Sequence, residues 1–268
     1  MHEPHRMKRP AIMAILNVTP DSFSDGGAFN TTETALRHAR QCVSEGANML
    51  DIGAESTRPG ATAVTAEDEL ARILPVLQAL NGKIKIPISI DTYKASVARA
   101  ATENGATIIN DVWGLQRDPA MADVAAETNA AVIIMHNRFE GVDETVDILD
   151  DMERWFDVSL NLARKSGIPD AKITLDPGIG FGKTFRQNLI ILAHLKRLKA
   201  RGFPLLIGLS RKRFIGTVLN AEVDQRLFGT LSANLYSIMG GADIIRVHDV
   251  KPHREALDIW MAIDAERT

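Results

Sequence analysis

The chain has little that would tie it to a membrane, to nucleic acid or to an oxidising compartment. Its 268 residues include one cysteine, Cys42, so an internal disulfide is excluded and a reduced compartment is expected. Cys42 falls inside an expected helix over 31–45, where a thiol reads as buried and inert rather than nucleophilic. No apolar run approaches the ~18 residues that a membrane span requires. Residues 1–10 are charged and carry no apolar stretch, so they do not read as a secretion signal, and a cytoplasmic location is expected. A net charge of −3 supplies no basic field, so nucleic acid is not expected as a partner. The seven histidines form no His-x-x-x-His or His/Cys cluster, so no zinc site is expected. There is no low-complexity segment, internal linker or close repeat, and residues 1–268 read as one domain.

What the chain does contain is a recurring unit. Eight short apolar runs each stop on a polar residue, followed by a loop and a helical stretch. Residues 11–16 stop on Asn17, 49–50 on Asp51, 86–90 on Asp91, and 108–109 on Asn110 and Asp111. Residues 131–135 stop on His136, 173–175 on Asp176, 205–209 on Ser210 and 244–247 on His248. Unbroken apolar strands alternating with helices imply a parallel sheet buried on both faces. Eight such units predict an α/β fold of the (β/α)8 TIM-barrel type, whose chemistry sits at the strand C-termini. Helices are expected near 31–45, 65–80, 94–104, 119–128, 146–166, 184–200, 224–239 and 254–265. Thr65-x-x-Asp68 resembles a capping box, and Asp118-Pro119 pairs an N-cap with a proline at the first helical position. Long connections over 18–30, 53–64 and 211–223 read as substrate loops, and the first two are expected to be mobile without ligand.

Several strand-end residues invite a chemical role. Arg58, Arg211, Lys212, Arg213 and Arg246 lie in or beside these loops, and cations gathered at a barrel mouth suit a phosphorylated substrate. Arg246 sits within an apolar strand, where a charge needs a partner or a ligand, and His248 should face the same way. Asp91 reads either as a ligand-facing carboxylate or as the N-cap of the next helix. For Asp176 the helix begins several residues later, which favours a ligand-facing role. Asn110 can donate and accept at once, as a heterocycle edge requires, whereas Asp111 beside it reads as structural. His136 reads equally as a ligand contact or a satisfied core histidine. Gly178-Ile179-Gly180-Phe181-Gly182-Lys183-Thr184 fails as a phosphate loop, because Pro177 occupies the place of the first glycine. Its glycines read as a tight turn bringing backbone and Phe181 close to a ligand.

These residues together resemble the dihydropteroate synthase family of folate biosynthesis. The first and most specific block is Asn17-Val18-Thr19-Pro20-Asp21-Ser22-Phe23-Ser24-Asp25-Gly26-Gly27, and the second is Asp51-Ile52-Gly53-Ala54-Glu55-Ser56-Thr57-Arg58-Pro59-Gly60. Ser89-Ile90-Asp91-Thr92, Ile109-Asn110-Asp111, Asp176-Pro177-Gly178-Ile179-Gly180-Phe181, Ser210-Arg211-Lys212 and Arg246-Val247-His248-Asp249 follow in family order. The resemblance implies a pterin-binding barrel that joins dihydropterin pyrophosphate to p-aminobenzoate with release of pyrophosphate. It implies that Asp91, Asn110, Met135, Asp176 and Lys212 hold the pterin. Asn17, Thr57, Arg58, Arg246 and His248 would hold the pyrophosphate, with Asn17 on a Mg2+ ion. Phe23, Pro59, Phe181 and Lys212 would wall the p-aminobenzoate site, and Asp91, Lys212, Arg246 and Arg58 would carry the catalysis. Two departures stand out: Arg213 occupies a place where many relatives have Ser, and Met135-His136-Asn137-Arg138 replaces a Met-His-Met run.

Two rival readings share the pterin pocket. A binding-only paralogue would not need the two loops that carry Asn17, Phe23, Thr57, Arg58 and Pro59, all of which are present. A methyltransferase working with a corrinoid protein has no use for pyrophosphate-binding cations. A homodimer is expected, because residues 227–239 are apolar or small almost all round and the family tends to pair through its late helices.

Overall fold

The computed structural model describes residues 9–18, 28–55 and 64–266, with side chains from residue 32 onward in the second of these segments. Eight parallel strands form one sheet: β1 Ala11–Asn17, β2 Met49–Gly53, β3 Ile88–Asp91, β4 Ile108–Asp111, β5 Ala131–Met135, β6 Ile173–Asp176, β7 Leu206–Gly208 and β8 Ile244–Val247. Their order is β6-β5-β4-β3-β2-β1-β8-β7. The two ends meet through a single parallel bridge between Leu175 and Leu205, with the Leu175 amide 2.9 Å from the Pro204 carbonyl. The sheet therefore curls into the expected barrel, with a thin seam between β6 and β7.

Strand parity sorts the side chains into two separate cores. Ile12, Ala14, Leu16, Leu50, Ile52, Ile90, Ile109, Val132, Ile134 and Val247 join the large cluster packed under the helices. Met13, Ile133 and Leu206, with Met49, Ile108 and Ile244 against them, form a second cluster that plugs the barrel interior. Moving up the same inward-facing rows by two residues reaches Asp51 from Met49, Asn110 from Ile108 and Arg246 from Ile244. The plug is apolar below and charged above.

Ten α-helices are described: α1 Ala28–Ser44, α2 Ala66–Leu80, α3 Ala95–Glu103, α4 Met121–Glu127, α5 Ile148–Lys165, α6 Phe185–Ala193, α7 Leu195–Lys199, α8 Arg213–Leu219, α9 Leu227–Met239 and α10 Val250–Asp264. Thr65 caps α2 by accepting from the Asp68 amide at 3.1 Å, as its sequence implies. Three details depart from expectation. The helix over 184–200 is two, because at His194 the backbone leaves helical dihedrals (φ −117°, ψ 24°) and its amide is shared between the Ile190 and Ile191 carbonyls. The connection over 211–223 holds α8, so it is a short helix rather than an open loop. Asp118 does not start a helix at Pro119; α4 begins at Met121, and the second Asp118 oxygen accepts from the Ala95 amide at 2.8 Å, at the start of α3.

No helix among the described residues is long and apolar enough to cross a membrane. Cys42 is buried, and burial pushes its thiol up to about 11, as expected for an inert side chain. Most of the two long loops, residues 19–27 and 56–63, lies outside the described residues, and with it the expectation about their mobility.

Candidate active site

Three inward side chains at the top of the barrel meet around one guanidinium. Arg246, from β8, donates through Nε to Asp51 Oδ2 at 2.5 Å and through Nη2 to Asp91 Oδ2 at 2.8 Å. Asn110 Nδ2 donates to the same Asp51 oxygen at 3.1 Å. The remaining Asp51 and Asp91 oxygens, with the Ser89 hydroxyl, are buried and have no hydrogen-bond partner among the described residues. One cation thus serves two carboxylates, and Asp91 shows the consequence. Burial pushes Asp91 up to about 7; Arg246 opposes the shift, while Asp51, Glu69 and Asp111 reinforce it. Asp91 is no helix cap, since α3 is preceded by Lys94 and Asp91 turns to Arg246 instead.

Across the mouth, β6 ends in Asp176, whose Oδ1 accepts from the Gly178 amide at 2.7 Å. The carboxylate is buried and its pKa is raised by burial, against the pull of Lys212, the Gly178 amide, Lys183 and Arg246. Gly178 stands at φ +64°, and a Cβ there would lie 2.0 Å from the His136 carbonyl oxygen, so only glycine fits. Lys212, in the loop after β7, donates to the Ile179 carbonyl, and its Nζ lies 4.7 Å from the Phe181 ring centroid. Burial brings the Lys212 ammonium down to about 8; Asp176 and Asp91 favour its charge, while Arg246 opposes it. Met135, buried at the end of β5, pairs in register with Asp176.

Asn17 closes β1 half-exposed, in register with Gly53, which in turn pairs with Asp91 and so with Asn110. His248 approaches Ser210 through both its amide, at 3.2 Å, and its Nδ1, at 2.9 Å. Arg211 makes a two-pronged bond to Asp249, bracing the loop that carries Lys212. His136 resolves as a core histidine. It is fully buried, its Nε2 lies 3.3 Å from Asp151, and burial with the nearby Lys183 charge brings it down to about 4. Asp111 is structural as expected, accepting from the Trp113 and Leu115 amides at 2.8 Å each. Arg213 stands exposed as the first residue of α8. Phe23, Thr57, Arg58 and Pro59 lie outside the described residues.

Two members of the site carry no role on sequence grounds. Asp51 is visible as a strand-end carboxylate, but only the fold brings β8 beside β1 and lets Arg246 reach it. Lys183 lies inside a motif that fails as a phosphate loop, and its burial has no sequence signal.

The family of pterin-binding enzymes matches residues 13–248. A dihydropteroate synthase of Clostridium beijerinckii is 46% identical over 252 residues, covering 93% of this chain and 92% of that one. The chain belongs to the dihydropteroate synthase family. Among solved structures, a dihydropteroate synthase from Clostridium difficile in the presence of pteroic acid superposes with a TM-score of 0.92 at 48% identity, covering 97% of this chain and 98% of that one. The Xanthomonas albilineans dihydropteroate synthase in complex with 7,8-dihydropteroate gives 0.88 at 41% identity, with 96% and 94% covered. In this dihydropteroate synthase family member the inner ring of Asp51, Asp91, Asn110, Asp176, Lys212 and Arg246 occupies the end of the barrel where such enzymes do their chemistry.

Proposed function

We propose that this chain condenses 6-hydroxymethyl-7,8-dihydropterin pyrophosphate with p-aminobenzoate. The pterin methylene C–O bond breaks and its electron pair leaves with pyrophosphate. The aniline nitrogen bonds to the methylene carbon and loses a proton, giving 7,8-dihydropteroate. The observation that carries this reading is geometric: Arg246 on β8 is hydrogen-bonded to Asp51 and Asp91, Asn110 joins the same Asp51 oxygen, and the turn after β6 that holds Asp176 also receives Lys212, all at the C-terminal ends of the strands.

The chemistry of each group suits its part. A carboxylate accepts only, so Asp176 matches the paired donors of the 2-amino and N3–H edge of a pterin. Asn110 takes the neighbouring ring nitrogen, Lys212 the 4-oxo and N5 side, and Met135 packs on the ring. Asp91, with one oxygen free of described partners, faces N8–H and steadies the cation left on the methylene as pyrophosphate departs. Arg246, His248, Thr57 and Arg58 stabilise the charge that builds on the leaving group. Phe181 and the Lys212 stem, with Phe23 and Pro59, wall the p-aminobenzoate.

Asn17 fits a Mg2+ role: it offers a carboxamide oxygen at the mouth, and no hydrogen bond joins its side chain to another described residue. Bound Mg2+ would offset charge on the leaving pyrophosphate.

Release of pyrophosphate that requires both substrates tests the reaction. Pterin binding without release would favour a binding protein, and methyl transfer to a corrinoid partner would favour the other rival. We also propose a homodimer in the cytoplasm. Phe228, Tyr236 and Met239 of α9 and Ile259 and Ile263 of α10 are 57–80% exposed, which is much apolar surface for a monomer to leave in water. A monomeric mass by light scattering at micromolar concentration would count against the dimer.

A further inference from the structure

Lys183 is only 7% exposed, and its ammonium donates to three backbone carbonyls: His136 at 3.2 Å, Gly178 at 2.9 Å and Phe181 at 2.8 Å. Three acceptors match the three hydrogens of a protonated amine; a neutral amine would turn its lone pair on one of them. Burial pulls the Lys183 pKa well below the usual lysine value, and Asp176 opposes that shift, so holding an ammonium here is costly; a methionine would fill the same space without that cost. The three carbonyls belong to two neighbouring strand ends. His136 follows β5, while Gly178 and Phe181 lie in the turn after β6. The same turn holds Asp176 Oδ1 through the Gly178 amide and receives Lys212 on the Ile179 carbonyl. Any movement of this turn shifts the Asp176 carboxylate, the Phe181 ring and the Lys212 ammonium together.

We propose that Lys183 is a positioning residue: it fixes the 176–183 turn so that Asp176, Phe181 and Lys212 present one wall to the pterin and to p-aminobenzoate. The identity of those two ligands rests on the proposed function. Arg246 and His248 are hydrogen-bonded to Asp51, Asp91 and Ser210, and Lys183 bonds to none of these, so its effect should fall first on substrate binding rather than on the leaving-group side.

The test uses the full chain with Lys183→Met and Lys183→Gln, steady-state kinetics for both substrates, and calorimetry with 6-hydroxymethylpterin. In Lys183→Met, KM for each substrate is expected to rise by about tenfold or more, with kcat at saturation within about threefold of the parent. The hydroxymethylpterin should bind about tenfold or more weakly. Lys183→Gln can still donate to two of the carbonyls and should fall between the parent and the Met variant. A residue that only supports folding would give the opposite split, a lower kcat per mole of protein at unchanged KM, and that result overturns the proposal. So does unchanged pterin affinity in a folded Lys183→Met. If Lys183→Met does not fold, Lys183→Gln decides by the same criteria, and if neither folds the lysine serves folding and the proposal fails. A parent chain that binds pterin yet makes no dihydropteroate removes the synthase reading and leaves Lys183 to be judged by calorimetry alone.

Discussion

At the scale of single residues, Asp176 and Arg246 should fail in different ways. Asp176→Asn replaces an acceptor-only group with an amide that can turn a donor toward the pterin's own donors. Loss of a charged hydrogen bond of this kind costs about 1.5 to 3 kcal/mol, so pterin binding should weaken by roughly ten- to a hundredfold. Arg246→Ala removes charge from the leaving-group side, and its main loss is expected in turnover. The hydrogen bonds add a second effect, since Asp51 and Asp91 would both lose their cation. Breaking a buried pair leaves an uncompensated charge, so this variant should also be destabilised by about 3 to 5 kcal/mol, or take up a proton. Calorimetry with the pterin alcohol, beside denaturant unfolding, separates the two variants; equal loss of pterin affinity would sink the assignment of distinct roles. Most of these residues were legible in the sequence because a polar group that ends an apolar strand does little for packing and costs free energy to bury. The Asp51–Arg246–Asp91 cluster was not, because it joins residues up to 195 positions apart.

At the scale of elements, the joint between β5 and β6 is the tightest part of the site. Gly178→Ala would drive a Cβ to 2.0 Å from the His136 carbonyl oxygen at a left-handed φ of +64°. Overpacking and the left-handed penalty together suggest a loss of roughly 2 to 5 kcal/mol. Gly82, also left-handed at φ +70° but with nothing within 4 Å of a Cβ, should lose only about 1 to 2 kcal/mol as Ala. Similar unfolding midpoints for the two variants would show that the close approach carries no weight. The elements themselves were readable from period and caps wherever a helix stood alone, as for α2 with its Thr65 cap. Local signals compete at His194, where an apolar, basic stretch looks continuous in sequence but the backbone breaks between α6 and α7.

At the scale of the whole molecule, the site weakens the fold that holds it. Asp91 is raised from 3.8 to about 7, so the native state holds this proton longer than the unfolded chain does. Its contribution to stability is therefore complete below about pH 3.8 and is lost as pH rises through about 7. Asp111, raised to about 6, acts in the same direction. His136, lowered from 6.5 to about 4, acts oppositely and loses stability as pH falls below 6.5. Above about pH 6.5 the histidine contributes little, and toward pH 8 Lys212, lowered to about 8, acts oppositely to Asp91, so the ligand-free protein should lose unfolding free energy with rising pH between about pH 6.5 and 7, and Asp91→Asn should flatten that slope. An equally steep slope in the variant would place the titration elsewhere. The barrel itself was legible as a count of eight strand-helix units, but strand order and closure were inherited from fold rules rather than read from residues.

The seam between β6 and β7 gives the site a second meaning. Seven of the eight strand junctions are ladders, whereas this one is a single bridge at Leu175, with the entry to β7 held by the Asp243 carboxylate on the Leu205 amide at 2.8 Å. Opening fluctuations should begin here, and amides over 205–208 should exchange with solvent sooner than those of β1 and β2. Asp176 stands at the top of one side of the seam and Lys212 just beyond the top of the other. A pterin held by both, as proposed above, would act as a clasp, so its binding should slow exchange at β7 more than anywhere else in the sheet. The substrate then finishes a barrel that the backbone leaves almost closed.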